Sequence, residues 1–326
     1  MKKIVCVILT VLIAATLCFA KGGNESSGGA GWPEKGKNIS LICPFRAGGG
    51  MDLSARLLAP YLEKHLGVTV TVQNVDGANG WAGWTQGIKA KPDGYTLVYA
   101  NYPAQISGYL DPATNVPYTF RDFTAISNHV TDVNVIVFRP DENRFRTAAE
   151  FVDYAKANEM TFTTGGRASD DHILIAQINK KLGTKLKPVH MANTAEGIAA
   201  MLGGHVDGVV GNVSEFYQRL KSGECIILAQ FNPKRSSFMS DVPTFEEGGF
   251  AGIYGDSSRG LLAPPSLDPA VKEKLMKVIK DVMVDPEHIA AAEKVGASIN
   301  AMIGTDFEKW LGEQEIIIKD LMPDLK

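Results

Sequence analysis

Short apolar runs rich in β-branched residues alternate with longer amphipathic stretches over most of this chain, and that alternation constrains the fold more than any other feature. Strands joined through helices run parallel, because a crossover that holds a helix brings the chain back to the same end of the sheet. The pattern predicts strands over 39–43, 68–72, 96–99, 133–138, 161–164, 187–191, 206–210, 225–229 and 260–262. Helices are expected over 148–158, 170–182, 195–202, 213–221, 269–284, 286–295 and 305–321. One more helix is expected after the first strand, where Leu53, Leu57, Leu58, Tyr61, Leu62 and Leu66 fall at helical spacing. Asp52 is expected as its N-cap and Gly67 as its stop, and Pro60 must kink it or break it.

A chain of 326 residues has room for two domains with a cleft between them. Turn-rich segments at 111–117 and 232–237 divide the pattern, so the expected plan has two chain crossings. Lobe one takes 32–125 with 230–326, and lobe two takes 126–229. With 45% apolar and 21% charged residues, disorder is excluded as the main state. The 33 basic against 36 acidic side chains leave no basic footprint, so nucleic acid is not an expected partner.

Lys2 and Lys3 followed by the apolar run from Ile4 to Phe19 have the layout of a secretory signal, with Cys18 and Ala20 as small residues at the cleavage positions. Cleavage after Ala20 is expected, giving a periplasmic protein. A retained anchor and a lipoprotein cut before Cys18 are the alternatives, the latter weakened by bulky Leu17. Residues 21–31 form a Gly- and Ser-rich flexible leader. Of the four cysteines, Cys43 and Cys225 remain after cleavage, each in an apolar strand-like run, and are expected as buried free thiols rather than a disulfide.

Three strand-to-helix loops carry the chemistry. The first is Pro44-Phe45-Arg46-Ala47-Gly48-Gly49-Gly50-Met51-Asp52, where consecutive glycines let backbone amides approach a ligand and a helix N-terminus adds partial positive charge. It lacks the Gly-Lys-Ser/Thr of a nucleotide P-loop and the glycine spacing of a dinucleotide fold, and a tight turn with a helix cap remains open as a reading. The second runs from Gln73 to Trp84 and the third from Thr164 to His172. Ligands of open α/β sheets bind outside the carboxyl ends of the strands, where these loops are expected to lie.

Phe45 to Asp52, Arg56, Asn74, Gly77-Ala78, Gly80, Gly83 and Pro92-Asp93-Gly94-Tyr95-Thr96-Leu97 resemble the substrate-binding proteins of tripartite tricarboxylate transporters, also called Bug receptors. The likeness continues through His172, Leu202-Gly203-Gly204-His205-Val206-Asp207, Arg235 and Asp241-Val242-Pro243-Thr244-Phe245 to Ala263-Pro264, and so spans the mature chain. It implies a two-lobed α/β periplasmic-binding-protein fold closing on a small organic carboxylate, handed to small and large membrane subunits by a monomeric receptor. It implies no enzyme activity, cofactor or metal. The implied contacts are Ala47, Gly48, Gly49 and Asp52 in the first loop, Asn79 and Gly80 in the second, and Ala168 and Ser169 from lobe two; Phe45, Arg46, Trp81, Asn101, Arg167 and Asp170 are further candidate contacts. Arg46, Trp81, Ala168 and Ser258 depart from the family pattern, Ser258 standing where a tryptophan is frequent.

Those departures leave the ligand open among dicarboxylates, tricarboxylates, aromatic acids and amino acids. Arg46 and Arg167 come from opposite lobes and either grip a carboxylate or stand in solvent. Asp170 and Asp171 suit a helix dipole but repel an anion, so an ammonium group is the alternative there. Trp81 either covers the ligand or packs under its loop. The six histidines show no i, i+4 pair that would suggest a zinc site. No Gly-x-Ser-x-Gly elbow is present, and a hydrolase built on Ser54, His172 and Asp52 has no motif behind it. A periplasmic sensor subunit using the same closure remains the rival to a transport receptor.

Overall fold

The computed structural model describes residues 31–191 and 194–325. The expected export segment and all but the last residue of the leader lie outside the described residues.

Two parallel blocks of strands form the frame. In the first, β1 (Ile39–Cys43) lies between β2 (Val70–Asn74) and β3 (Thr96–Tyr102), parallel to both. In the second, β5 (Met160–Thr164) lies between β6 (Leu186–His190) and β7 (Gly208–Asn212) in the same manner. Two antiparallel strands connect them, β4 (Thr124–Phe138) and β9 (Asp256–Ala263), giving the order β2-β1-β3-β9-β4-β7-β5-β6. The 15-residue β4 pairs with β9 over its first part, then with β7 and with β8 (Ile226–Gln230) over its second. A short β10 (Ser298–Ile299) also pairs with β4. The fold is the expected two-lobed α/β architecture.

Each block is covered by helices, because strands buried on both faces need an apolar layer on each side. Around the first block lie α1 (Gly50–Leu66), α2 (Trp81–Ile88), α3 (Ala104–Leu110), α8 (Pro269–Met283), α9 (Pro286–Lys294) and α10 (Thr305–Leu321). One core joins β1 and β3 to α1 and α8 through Leu41, Leu58, Leu62, Leu275 and Ile279, and another sets Trp81, Trp84 and Tyr102 against Phe307 and Leu311 of α10. Around the second block lie α4 (Ala148–Ala157), α5 (Asp170–Leu182), α6 (Thr194–Leu202) and α7 (Val213–Lys221).

Helix α1 ends as expected, on Gly67 at φ 71°, whose amide donates to the Glu63 carbonyl. Its start differs. Gly49 in extended backbone is the N-cap, and Asp52 sits one turn inside. The helix runs on through Pro60, since Pro60 and Arg56 are both exposed and solvent replaces the missing backbone bond. Its apolar face is rotated from the expected stripe, with Leu53 58% exposed while Met51, Ala55 and Ala59 are buried.

Helices α2 and α3, strand β10 and the first nine residues of β4 were not predicted. In β4 the buried polar side chains of Asn128, His129 and Asp132 break the apolar pattern and find partners distant in sequence in Asn300, Tyr99 and Ser214, while Asn128 Oδ1 has none among the described residues. Cys43 and Cys225 are free and buried, and burial pushes both thiols up to about 11.

Candidate functional site

The first loop, between β1 and α1, is held from within by one carboxylate. Asp52 is 3% exposed, and its Oδ2 accepts from the Gly48 amide (2.9 Å) and from Arg56 Nε (3.0 Å). Asn74, at the end of β2, donates to Asp52 Oδ1 and to the Phe45 carbonyl, both at 2.9 Å. Burial alone would raise the Asp52 carboxyl, but the hydrogen bonds from Arg56, Gly48 and Asn74 hold it below the ordinary value. Asp52 is thus the brace of the loop, and its presence three residues into a helix is the signal that could have shown this. Ala47, Gly48 and Gly49 form the exposed tip. Phe45 is half-buried with its ring edge-on to Trp84, 6.0 Å between centroids. Arg46 has its side chain 89% exposed and pairs with Asp76 of the neighbouring loop at 2.6 Å.

The second loop leaves the end of β2 beside the first. Asn79 is exposed at its turn, and Gly80 is buried at φ 93°. A Cβ on Gly80 would meet the Trp84 ring at 2.7 Å and Phe45 at 3.1 Å, so only glycine lets the two loops close together. Trp81 is 2% exposed, edge-on to Trp84 and Tyr109, and packs under its loop, which decides between the two readings of that residue. Asn101 is buried on β3, opposite Arg259 of β9, and donates to Ser257 Oγ at 2.7 Å.

The third loop, after β5, is tied to the other half of the molecule. Arg167 pairs with Asp111 just beyond α3 at 2.7 Å and donates from Nε to the Leu325 carbonyl at 3.1 Å. Ala168 is buried, and its carbonyl accepts from Ser107 Oγ of α3 at 2.8 Å. Ser169 caps α5 by accepting from the His172 amide. His172 Nδ1 takes the Ala168 amide, and burial, with His190 and Arg167 nearby, lowers this imidazole to about 4. Arg46 is therefore engaged by the neighbouring loop and Arg167 by the opposite half, with no shared partner among the described residues.

Asp170 accepts from Asn134 Nδ2 (2.9 Å) and Asn212 Nδ2 (3.1 Å), and Asp171 from the Gly165 amide (3.0 Å) and Asn134 Nδ2 (3.1 Å). Burial raises both carboxyls, and Asp170 raises that of Asp171 further. Asp170 lines a cleft of about 390 Å³ with Tyr102, Tyr254, Asp256 and Trp310, a space that the first loop does not reach. Among the described residues no group of His, Cys, Asp or Glu is placed to hold a metal ion.

Sequence reasoning missed Arg259. It is 6% exposed on β9, donates from Nη1 to Ser54 Oγ at 2.9 Å, and lies 3.7 Å from Asp132 of β4. Its Nη2 sits 3.0 Å from where a Cβ on Gly50 would stand, at the first turn of α1. The first loop, β3, β4 and β9 thus bring one buried guanidinium to the helix end that the glycines leave open. In sequence, Arg259 stands between Ser258, where the family pattern has a tryptophan, and the predicted strand over 260–262, with no pattern of its own. Ser258 in fact fills that place with hydroxyl contacts to Thr131 (2.8 Å) and Asp256 (2.7 Å).

Comparison with known proteins places these features in context. A family model described as "Tripartite tricarboxylate transporter family receptor" matches residues 54–323. The UPF0065 protein of the gbd 5′ region of Cupriavidus necator is 31% identical over 262 residues, 77% of this chain and 76% of that protein. A TctC solute-binding protein from Polaromonas, solved without ligand, superposes with a TM-score of 0.76 at 26% identity, covering 89% of this chain and 99% of its own. MatC of Rhodopseudomonas palustris, solved with bound malate, superposes at 0.75 with 21% identity over 88% of this chain and 99% of its own, a likeness of fold.

Proposed function

The chain belongs to the tripartite tricarboxylate transporter receptor family, and from that membership we propose that it binds a small organic carboxylate between its two halves and presents the closed form to a membrane transporter. Proteins of this family are solute-binding receptors, not enzymes, and the solved relatives are periplasmic binding proteins. The observation that carries the ligand class is the start of α1. Gly49 has no side chain to cap the helix, so the first amides point into the loop tip without an acceptor from the cap residue. An anion satisfies them, and malate in the MatC structure is a carboxylate.

In this reading residues 32–125 with 230–326 make one lobe and 126–229 the other, and the third loop reaches across through Arg167 and Ala168 to close the cleft. A ligand acts by making contacts that exist only when the lobes are closed, which shifts the population toward the form the transporter recognises. We place the receptor in the periplasm as a monomer, with the small and large membrane subunits as its partners. An amino acid is the second ligand class, favoured by Asp170 and Asp256 lining one cleft.

The test is thermal unfolding of the purified protein with mono-, di- and tricarboxylates, aromatic acids and amino acids. A ligand at 100 times its dissociation constant stabilises by about 2.7 kcal/mol, a shift of several degrees. A shift with one acid class supports the proposal. No shift with any of them, in protein shown by mass spectrometry to carry no co-purified acid, rejects it.

A further inference from the structure

We propose that Arg259 sets the specificity of this receptor: the Nε–Nη2 edge of its guanidinium, whose Nη2 stands at the first turn of α1, takes one carboxylate of the solute side-on. The inference rests on the receptor reading above and names the group that reads the solute's charge.

Arg259 is 6% exposed, yet only Nη1 is engaged, by Ser54 Oγ. Nε is buried without a hydrogen-bond partner, and Nη2 donates to no described residue. A buried donor left unpaired is costly, so an arginine with two idle nitrogens points to an acceptor supplied from outside. The idle pair is also the right pair. In a planar guanidinium, Nε–H and one Nη2–H run parallel, and their spacing matches the two oxygens of a carboxylate.

The surroundings leave that edge available. Asp132 is the one carboxylate within 4 Å among the described residues, at 3.7 Å from Nη1, and it is already served by the amide and hydroxyl of Ser214 at the start of α7. Asp170 is engaged by Asn134 and Asn212, and Asp256 by Ser258. On the other side stands the 17-residue α1, whose N-cap glycine offers no oxygen to its first amides. Gly50 lets Nη2 approach to 3.0 Å of the missing Cβ, so the Nη2 end of the guanidinium stands at the first turn of the helix. Charge and dipole therefore act on the same anion.

Calorimetric titration with succinate, L-malate, citrate, benzoate and L-aspartate tests this, each acid that binds being repeated as its carboxamide. Wild type, Arg259→Gln, Arg259→Lys and Arg219→Gln are compared, with unfolding curves for each. Loss of a charge-assisted two-pronged contact predicts weakening of about 100-fold for Arg259→Gln and about 10-fold for Arg259→Lys. Arg219→Gln, at an exposed site on α7 paired with Glu224, should bind as wild type. The wild-type preference for acid over carboxamide should shrink in both Arg259 variants, a change that altered packing alone does not produce. If Arg259→Gln fails to fold, Arg259→Lys, which keeps the charge beside Asp132, carries the comparison. Wild-type affinity and preference in the Arg259 variants overturns the inference and leaves the receptor standing. Failure of the wild type to bind any of these acids overturns the receptor reading, and the inference with it.

Discussion

A single atom decides how closely the first two loops approach. Gly80 combines a positive φ with ring carbons of Trp84 and Phe45 about where its Cβ would stand. Gly80→Ala is expected to destabilise the protein by about 2–4 kcal/mol, from backbone strain plus overpacking, which urea unfolding will measure. Sequence made the loops and their glycines legible, because consecutive glycines between a strand and a helix have few other uses. It did not make the roles legible. Asp52 and Asn74 are both legible but serve as the brace of the loop, since their hydrogen bond joins the first turn of α1 to the end of β2, 22 residues on. Arg259 carries no local pattern because it stands in the polar half of β9, after Asp256, Ser257 and Ser258, and its meaning lies in what β3, β4 and α1 place around it.

Among the elements, α5 shows a candidate contact residue doing structural work. Ser169 has extended backbone and accepts from the His172 amide, so Ser169→Ala should cost about 1 kcal/mol of stability as a lost cap, read from the unfolding midpoint. Solute affinity is expected to change little in comparison with the Arg259 variants. Helices α4, α5, α7 and α10 were located well in sequence because each combines an apolar stripe with end signals, such as the Thr147–Glu150 capping box of α4. Strand β4 was found only at its apolar end. Its other part carries Asn128, His129 and Asp132 inward, and a buried polar side chain looks like a loop residue until its partner is known.

Across the whole molecule, Asp132 of β4, Asp170 of α5, Glu215 of α7 and Asp256 of β9 gather at the junction of the two parallel blocks, and burial raises every one of these carboxyls. Asp256 is pushed up to about 6, by burial first and then by Asp170 and Asp132, while Ser258 partly opposes the shift. A raised carboxyl contributes its stability fully below the unfolded value near 3.8, and the contribution is lost as pH rises through about 6. Asp256→Asn should therefore gain stability relative to wild type as pH is raised from 4 to 7, with the difference closing at pH 4. Paired urea unfolding across that range checks it, and a pH-independent difference would show that Asp256 does not titrate there. By itself the sequence determined the α/β class, most of the elements and the three loops, because strand and helix periods, helix ends and glycine turns are written over a few neighbouring residues. Only the tertiary structure decided that β4 spans both blocks, that Trp81 is core, that Arg46 pairs with the neighbouring loop and Arg167 with the opposite half, and that Arg259 brings Nη2 to the start of α1. Those outcomes depend on the burial and pairing of groups up to 205 residues apart, and neither burial nor pairing exists until the chain has closed on itself.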